Sequence, residues 1–189
     1  MKDLLDEYRR KRPQIKKRLS EFKLVYGKSE QDVFAELCFC IFTPQAKAIT
    51  CESAVRKLKS GGLLLKGTCD EIRPCLGGVR FPNNKAKYLI EARKLFSNGK
   101  GLKLKDKLDT KDPCKTRDWL VKNVKGIGYK EASHFLRNIG LGKDLAILDR
   151  HILKNLKRYG VIKNISVALS RKEYLKIEKR MKDFFKQLN

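Results

Sequence analysis

The stretch that decides the fold is residues 119–139, which read WLVKNVKGIGYKEASHFLRNI. Two amphipathic halves are separated only by Gly126-Ile127-Gly128, and this pattern predicts two helices joined by a tight turn. Glycine permits a positive φ and a bare backbone, so the N–H groups at the start of the second helix can face outward. With the positive end of the helix dipole they form a phosphate site, to which Lys125 adds charge. The alternative is that the glycines serve the turn alone, as in many αα-hairpins.

Helix signals recur along the rest of the chain, whereas strand signals are scarce. Ser29, Thr68 and Ser170 each stand three residues before an acidic residue, which is the spacing of a capped helix start. Glycines close the apolar stripes that follow, at the positions where a left-handed residue ends a helix. The sequence therefore predicts an all-α protein of about nine or ten helices.

The charge balance indicates a polyanionic partner. Lys and Arg together number 45 against 21 Asp and Glu, which gives a formal net charge of +24. Such an excess favours nucleic acid, because the basic residues are spread over many predicted helices and form no single amphipathic segment for a membrane surface. No window resembles a membrane span and no N-terminal signal pattern is present, so we expect an intracellular protein of the cytoplasm or nucleoid with no membrane partner.

The six cysteines do not predict a metal centre. Their spacings match neither a Cys-x2-Cys pair nor a four-cysteine cluster. Cys38 and Cys40 lie in an apolar run, where a free thiol behaves as a small buried hydrophobe. We therefore expect free thiols, no metal and no cofactor.

Two motifs carry a family resemblance. GIGYKEASHFLRNIG at residues 126–140, followed by AILDRHIL at residues 146–153, resembles the helix-hairpin-helix glycosylase superfamily, and within it the archaeal and bacterial 8-oxoguanine DNA glycosylase/lyase family. The resemblance runs from about Glu21 to Leu188. Endonuclease III-like relatives share the lysine but carry a C-terminal four-cysteine cluster, and no cysteine follows Cys114 here.

The resemblance implies a two-domain all-α fold with a DNA-binding cleft between the domains. The central domain would span residues 31–139, and residues 1–30 with 140–189 would form the second. The partner would be double-stranded DNA with a damaged base, and the protein a monomer. The hairpin residues Gly126, Ile127, Gly128 and Lys125 would then bind the DNA backbone.

The resemblance also implies a reacting pair. An amine at the anomeric carbon of a damaged nucleotide forms an imine that permits strand cleavage by β-elimination, and Lys130 is the implied nucleophile. Lys130 lies in the first turn of the second hairpin helix, where the dipole opposes a positive charge. Asp149 can cap the next helix, and in the family it also stabilises the oxocarbenium ion. His134 and His151 lie in the same motifs, and we interpret both as structural residues.

Other residues are candidates for extruding and reading the base. A nucleotide that leaves the stack leaves a gap, and Gln45 in Thr43-Pro44-Gln45 is a candidate to fill it; a capped helix start at Thr43 is the alternative. In the family an Arg-Phe pair borders the base pocket, which points to Arg80 and Phe81, although Phe81 can equally be a core aromatic.

Two questions of function stay open at this stage. The same lysine chemistry can serve an oxidised pyrimidine or a mismatch, and a non-enzymatic module can use the hairpin as a phosphate clamp alone. Family members usually continue beyond the helix that ends here at Asn189, with a tail that supplies a stacking aromatic and a terminal carboxylate. Either the protein dispenses with that tail, or part of the chain is absent from this version.

Overall fold

A computed structural model describes residues 2–166 and 168–187, and within these ranges the protein is helical. The described residues do not include Val167, Met1, Leu188 and Asn189. All four belong to the predicted second domain. The described helices are α1 (Lys2–Val25), α2 (Glu30–Phe42), α3 (Ala48–Ser60), α4 (Leu63–Lys66), α5 (Cys69–Cys75), α6 (Pro82–Phe96), α7 (Pro113–Asn123), α8 (Tyr129–Asn138), α9 (Arg150–Arg158) and α10 (Arg171–Lys186), with a 3-10 turn at Lys105–Lys107.

The predicted helix starts are confirmed where side chains cap them. Thr68 and Ser170 form capping boxes with Glu71 and Glu173, and the Ser29 hydroxyl accepts the N–H of Asp32. Each cap satisfies a backbone donor that has no partner inside its helix. At these three positions the local sequence therefore sets where the helix begins.

The start predicted as an alternative at Thr43 is wrong. Thr43 closes α2, and its hydroxyl donates to the carbonyl of Cys40 at 2.9 Å. The next helix begins only at Ala48. The cap-like Thr-Pro pair is used to end one helix, and residues 44–47 form the connection that carries Gln45.

Two groups of buried side chains form the core. The larger is centred on α2, where Val33, Phe34, Leu37 and Ile41 are fully buried, and it takes in α3, α6, α7 and α8. The smaller is built from residues after the hairpin: Ala146, Leu148, Leu153, Leu156, Ile162 and Tyr174. Burial of apolar surface on this scale is the main favourable term in folding.

Helix α1 joins the larger group only near its C-terminal end. Phe22 is buried, and Val25 and Tyr26 pack against the larger core. Most residues of α1 before Phe22 are exposed. The division into residues 31–139 and residues 1–30 with 140–189 stays a prediction.

Over the described residues, no helix combines the length and the apolar character that a bilayer span requires.

Candidate active site

In the hairpin turn, Gly126 takes the positive φ that the sequence predicts, whereas Gly128 does not. Gly126 has φ +81°, and a Cβ built there would lie 2.6 Å from Cδ2 of Tyr88, so only glycine fits without a shift. Ile127 packs into the core between the helices. Gly128 precedes α8 with an extended backbone and donates its N–H to Oε2 of Glu131 at 3.2 Å. Lys125 is exposed and pairs with Glu91 at 3.1 Å.

Lys130 lies in the first turn of α8 with its amine at a cavity. Its side chain is 28% exposed, and Nζ lies 3.3 Å from Oε1 of Glu131. The cavity has a volume of about 570 Å³ and is bordered by the start of α8 and the start of α9. Arg150 and Lys154 add positive charge to the same wall. An anionic sugar-phosphate chain matches this surface.

Asp149 caps α9, as the sequence predicted. Its Oδ1 accepts the N–H of Ile152 at 2.7 Å. The two residues beside it, Leu148 and Arg150, line the cavity of Lys130. A carboxylate has two oxygens, so the cap occupies Oδ1 and leaves the lone pairs of Oδ2 for another partner.

His134 is a largely buried histidine of α8, four residues after Lys130. Burial lowers its pKa to about 4, with further lowering by the charges of Arg137 and Lys130 and an opposing effect from Asp149. The imidazole is therefore neutral at pH 7. Its ring lies edge-on to Phe39, with centroids 5.6 Å apart. The interpretation of His134 as a structural residue stays a prediction, and its spacing of four residues from Lys130 puts both on one face of α8.

A second cavity, of about 280 Å³, opens beside His134. Its walls come from α1, α2, α3 and α8, and they include Arg18, Phe22, Glu36, Phe39, Arg137 and Asn138. Burial raises the pKa of Glu36, and the hydrogen bond from Asn138, at 2.9 Å, opposes that rise. We refer to this cavity as the His134 cavity.

Unpaired polar atoms are concentrated in residues that line the His134 cavity. Four buried side-chain nitrogen or oxygen atoms of the described residues have no hydrogen-bonding partner, and three of them belong to residues that line it: Nδ1 of His134, Nε of Arg137 and Oδ1 of Asn138. Native proteins pair nearly all such atoms, so this clustering sets the wall of the His134 cavity apart from the rest of the described protein. Sequence reasoning missed Glu36, Arg137 and Asn138.

Gln45, Arg80 and Phe81 lie together at a different place. Gln45 and Phe81 both line a small depression with Gly126 of the hairpin turn. Phe81 is 49% exposed, and the guanidinium of Arg80 lies 5.0 Å from its ring centre. Neither Arg80 nor Phe81 lines the His134 cavity. The structure thus places the predicted base-pocket pair beside the predicted gap-filling residue.

Backbone strain marks two of the residues that line that depression. Gln45 and Phe81 are the non-glycine residues with positive φ in the described chain, at 57° and 59°. Strain of this kind persists only where the surroundings hold it. Lys85 does so for Gln45, because its buried ammonium donates to the carbonyls of Phe42 and Pro44 at 2.5 and 2.8 Å.

Comparison with known proteins identifies the family. The family model described as 8-oxoguanine DNA glycosylase matches residues 15–189. The chain belongs to this family. It is 44% identical over 179 residues to an 8-oxoguanine DNA glycosylase/AP lyase of Fusobacterium nucleatum, covering 94% of this chain and 82% of the relative. A relative of the same name from Methanocaldococcus jannaschii is 42% identical over 179 residues, covering 93% and 82%.

Solved structures of family members agree with this fold. The 8-oxoguanine DNA glycosylase of Thermotoga maritima matches with a TM-score of 0.86 at 36% identity, over 98% of this chain and 86% of the other. The Methanocaldococcus jannaschii glycosylase/lyase in complex with a 15mer DNA containing 8-oxoguanine matches with a TM-score of 0.83 at 38% identity, over 94% and 83%. The predictions of the family, of the all-α helix-hairpin-helix glycosylase fold and of the enzyme class are confirmed.

Proposed function

We propose that this chain excises 8-oxoguanine from double-stranded DNA and then cleaves the strand, with Lys130 as nucleophile and Asp149 as its electrostatic partner. The observation that carries the assignment is the position of Lys130. It follows the phosphate-binding turn directly, and its amine lies at a cavity that the start of α9 also borders. Backbone binding needs the turn alone, whereas imine chemistry needs an amine at such a site, with a carboxylate such as that of Asp149 close by in the chain.

Base excision and strand cleavage both proceed through the amine of Lys130. The uncharged Nζ of Lys130 attacks C1′, and the C1′–N9 bond breaks with its electron pair leaving on the base, which takes up a proton. Nζ loses a proton, O4′ gains one as the sugar ring opens, and an imine joins Nζ to C1′. Removal of a proton from C2′ then expels the 3′-phosphate and cleaves the strand. The carboxylate of Asp149 balances the positive charge that develops on the sugar.

The extruded base enters the His134 cavity in this proposal. Lys130, His134 and Asn138 follow one another at intervals of four residues on one face of α8, so the cavity lies along the helix from the amine. The neutral His134 and Phe39 provide aromatic surface. Glu36 accepts N–H groups of the purine, and the guanidinium of Arg137 donates to a ring carbonyl. Buried unpaired groups of this kind discriminate strongly between bases.

Gln45 and Phe81 fill the gap that the extruded base leaves. Both are exposed, both are held in the left-handed region, and both lie beside Gly126 at the turn that grips the backbone. The amide of Gln45 supplies hydrogen bonds to the orphaned base, and the ring of Phe81 supplies stacking surface. Here the role of Phe81 is to occupy the gap.

The protein acts as a monomer in the cytoplasm or nucleoid, where chromosomal DNA lies. The net charge of +24 supports this, since copies of a strongly cationic chain repel one another and are drawn to DNA. The DNA lies in the cleft between residues 31–139 and the second domain of residues 1–30 and 140–189.

Lys130→Gln tests the assignment of the nucleophile. Glutamine keeps the helix but cannot form an imine, so we expect borohydride trapping and strand cleavage to fall below detection while binding to 8-oxoguanine duplex stays within about threefold. Lys94→Gln, an exposed lysine of α6, is the matched control and should trap like the unaltered protein. If Lys130→Gln still traps covalently, another lysine is the nucleophile.

A further inference from the structure

A buried network joins α10 to the segment that carries Asp149. Residues 144–148 connect the hairpin to α9 without helix or strand, so their backbone groups need partners from elsewhere. Glu178 of α10 accepts the N–H of Ala146 at 2.6 Å. The hydroxyl of Tyr174, also on α10, donates to the carbonyl of Ala146 at 2.6 Å and accepts the N–H of Leu148 at 3.2 Å.

The same network reaches the hairpin that carries Lys130. Arg117 of α7 forms a two-pronged pair with Glu178, at 2.8 and 2.9 Å, and its side chain is 1% exposed. Arg117 also donates to the hydroxyl of Ser133 at 3.2 Å. Ser133 lies three residues after Lys130 on α8. One set of hydrogen bonds therefore spans the first hairpin helix, the helix of the nucleophile and the backbone just before Asp149.

Stability alone does not account for this arrangement. Replacing a buried ion pair by apolar residues of similar volume is often neutral or stabilising, because taking the charges out of water is costly. The pair does provide direction, since a guanidinium and a carboxylate meet in a fixed plane. A rigid link of this kind matters where two reacting groups come from different elements, because a displacement of about 1 Å can cost a hundredfold in rate.

We propose that Tyr174 and Glu178 are positioning residues, which set the carboxylate of Asp149 relative to the amine of Lys130. The inference rests on the proposed roles of that pair. Tyr174 accepts the N–H of Leu148, the residue directly before Asp149. Glu178 accepts the N–H of Ala146, three residues before Asp149. Arg117 completes the link by fixing Glu178 to α7 and α8.

Tyr174→Phe is the variant that tests this. It keeps the ring in its packing and removes only the hydroxyl that holds Ala146 and Leu148. We expect single-turnover excision of 8-oxoguanine from duplex to slow by about 10- to 100-fold. Borohydride trapping at a preformed abasic site should stay within about twofold, because the base has already left and no oxocarbenium ion needs balancing. Tyr26→Phe is the control, since this tyrosine packs at the end of α1 away from the network.

A double-mutant cycle separates positioning from a general structural effect. If Tyr174 acts through Asp149, Tyr174→Phe should cause no further loss in an Asp149→Asn background, which by itself should slow excision by about 100- to 1,000-fold. An equal loss in both backgrounds, or an equal loss of abasic-site trapping, overturns the inference. The same cycle is repeated with Glu178→Gln in place of Tyr174→Phe. Thermal melts of every variant check that it is folded.

The outcomes distinguish the inference from the function on which it rests. Excision at the normal rate by Asp149→Asn removes the proposed role of Asp149, and the positioning inference falls with it. If Asp149→Asn is slow and Tyr174→Phe is as fast as the Tyr26→Phe control, the pair is retained and only the positioning inference is overturned.

Discussion

Gly126→Ala should destabilise the protein at the hairpin turn, and the geometry around Gly126 sets how much free energy of unfolding is lost. The residue has φ +81°, where an L side chain costs roughly 1–2 kcal/mol. The new Cβ would also lie 2.6 Å from Cδ2 of Tyr88, and overpacking of this kind costs about 1–3 kcal/mol more. The free energy of unfolding should therefore fall by about 2–5 kcal/mol.

Gly160→Ala is the matched control. Gly160 has φ +74°, and a Cβ built there has no heavy atom within 4 Å. This variant should lose only the backbone term, roughly 1–2 kcal/mol. Urea unfolding of the two variants measures the difference. Gly160→Ala should bind duplex DNA normally, whereas Gly126→Ala should bind it more weakly, because it would shift the turn that we propose as the phosphate site.

Removing the neighbour checks that the contact with Tyr88 is the cause. In a Tyr88→Ala background the cost of Gly126→Ala should fall to that of Gly160→Ala, a coupling of about 1–3 kcal/mol. Equal costs for Gly126→Ala with and without Tyr88 would refute the steric account. Unchanged DNA affinity of Gly126→Ala, measured at fixed salt, would refute the role of the turn in phosphate binding.

Two further outcomes concern the base and its gap. Glu36→Gln keeps the shape of the His134 cavity but removes a charged acceptor, so excision of 8-oxoguanine should slow by about 10- to 100-fold while abasic-site trapping is unchanged; equal losses in both assays would point to a folding defect. Gln45→Ala and Phe81→Ala should each reduce excision from duplex more than from single-stranded DNA, because only the duplex has a gap to fill. Equal reductions on both substrates would indicate that these residues only support their turns.

The parts of the site that local sequence encodes could be predicted. The turn at Gly126 to Gly128, the cap at Asp149 and the capping boxes each depend on residues within a few positions of one another. Local chemistry fixes such features before any tertiary contact forms. The error at Thr43 has the same origin, since a threonine followed by proline is typical of a helix start and nothing local shows that Thr43 instead ends the buried helix α2.

The parts assembled from distant residues could not be predicted in this way. Glu36 and Asn138 meet across the His134 cavity although they are far apart in the chain, and Glu178 reaches both Arg117 and Ala146. Taken alone, each of these residues is of a type that is common on exposed helix surfaces. Only the packing of α2 and α10 against α8 and its neighbours brings them inside, where an unpaired polar group becomes informative.

Under the proposed function, helix α8 would hold an extruded nucleotide in a single register. In the proposed function the turn before its first residue binds a phosphate; Lys130 lies in its first turn, His134 one turn later and Asn138 one turn after that. The phosphate, sugar and base of an extruded nucleotide follow one another in the same order. Since successive turns are about 5.4 Å apart, a phosphate bound at the N-terminal end of α8, as we propose, would place the sugar at the amine and the base at the His134 cavity.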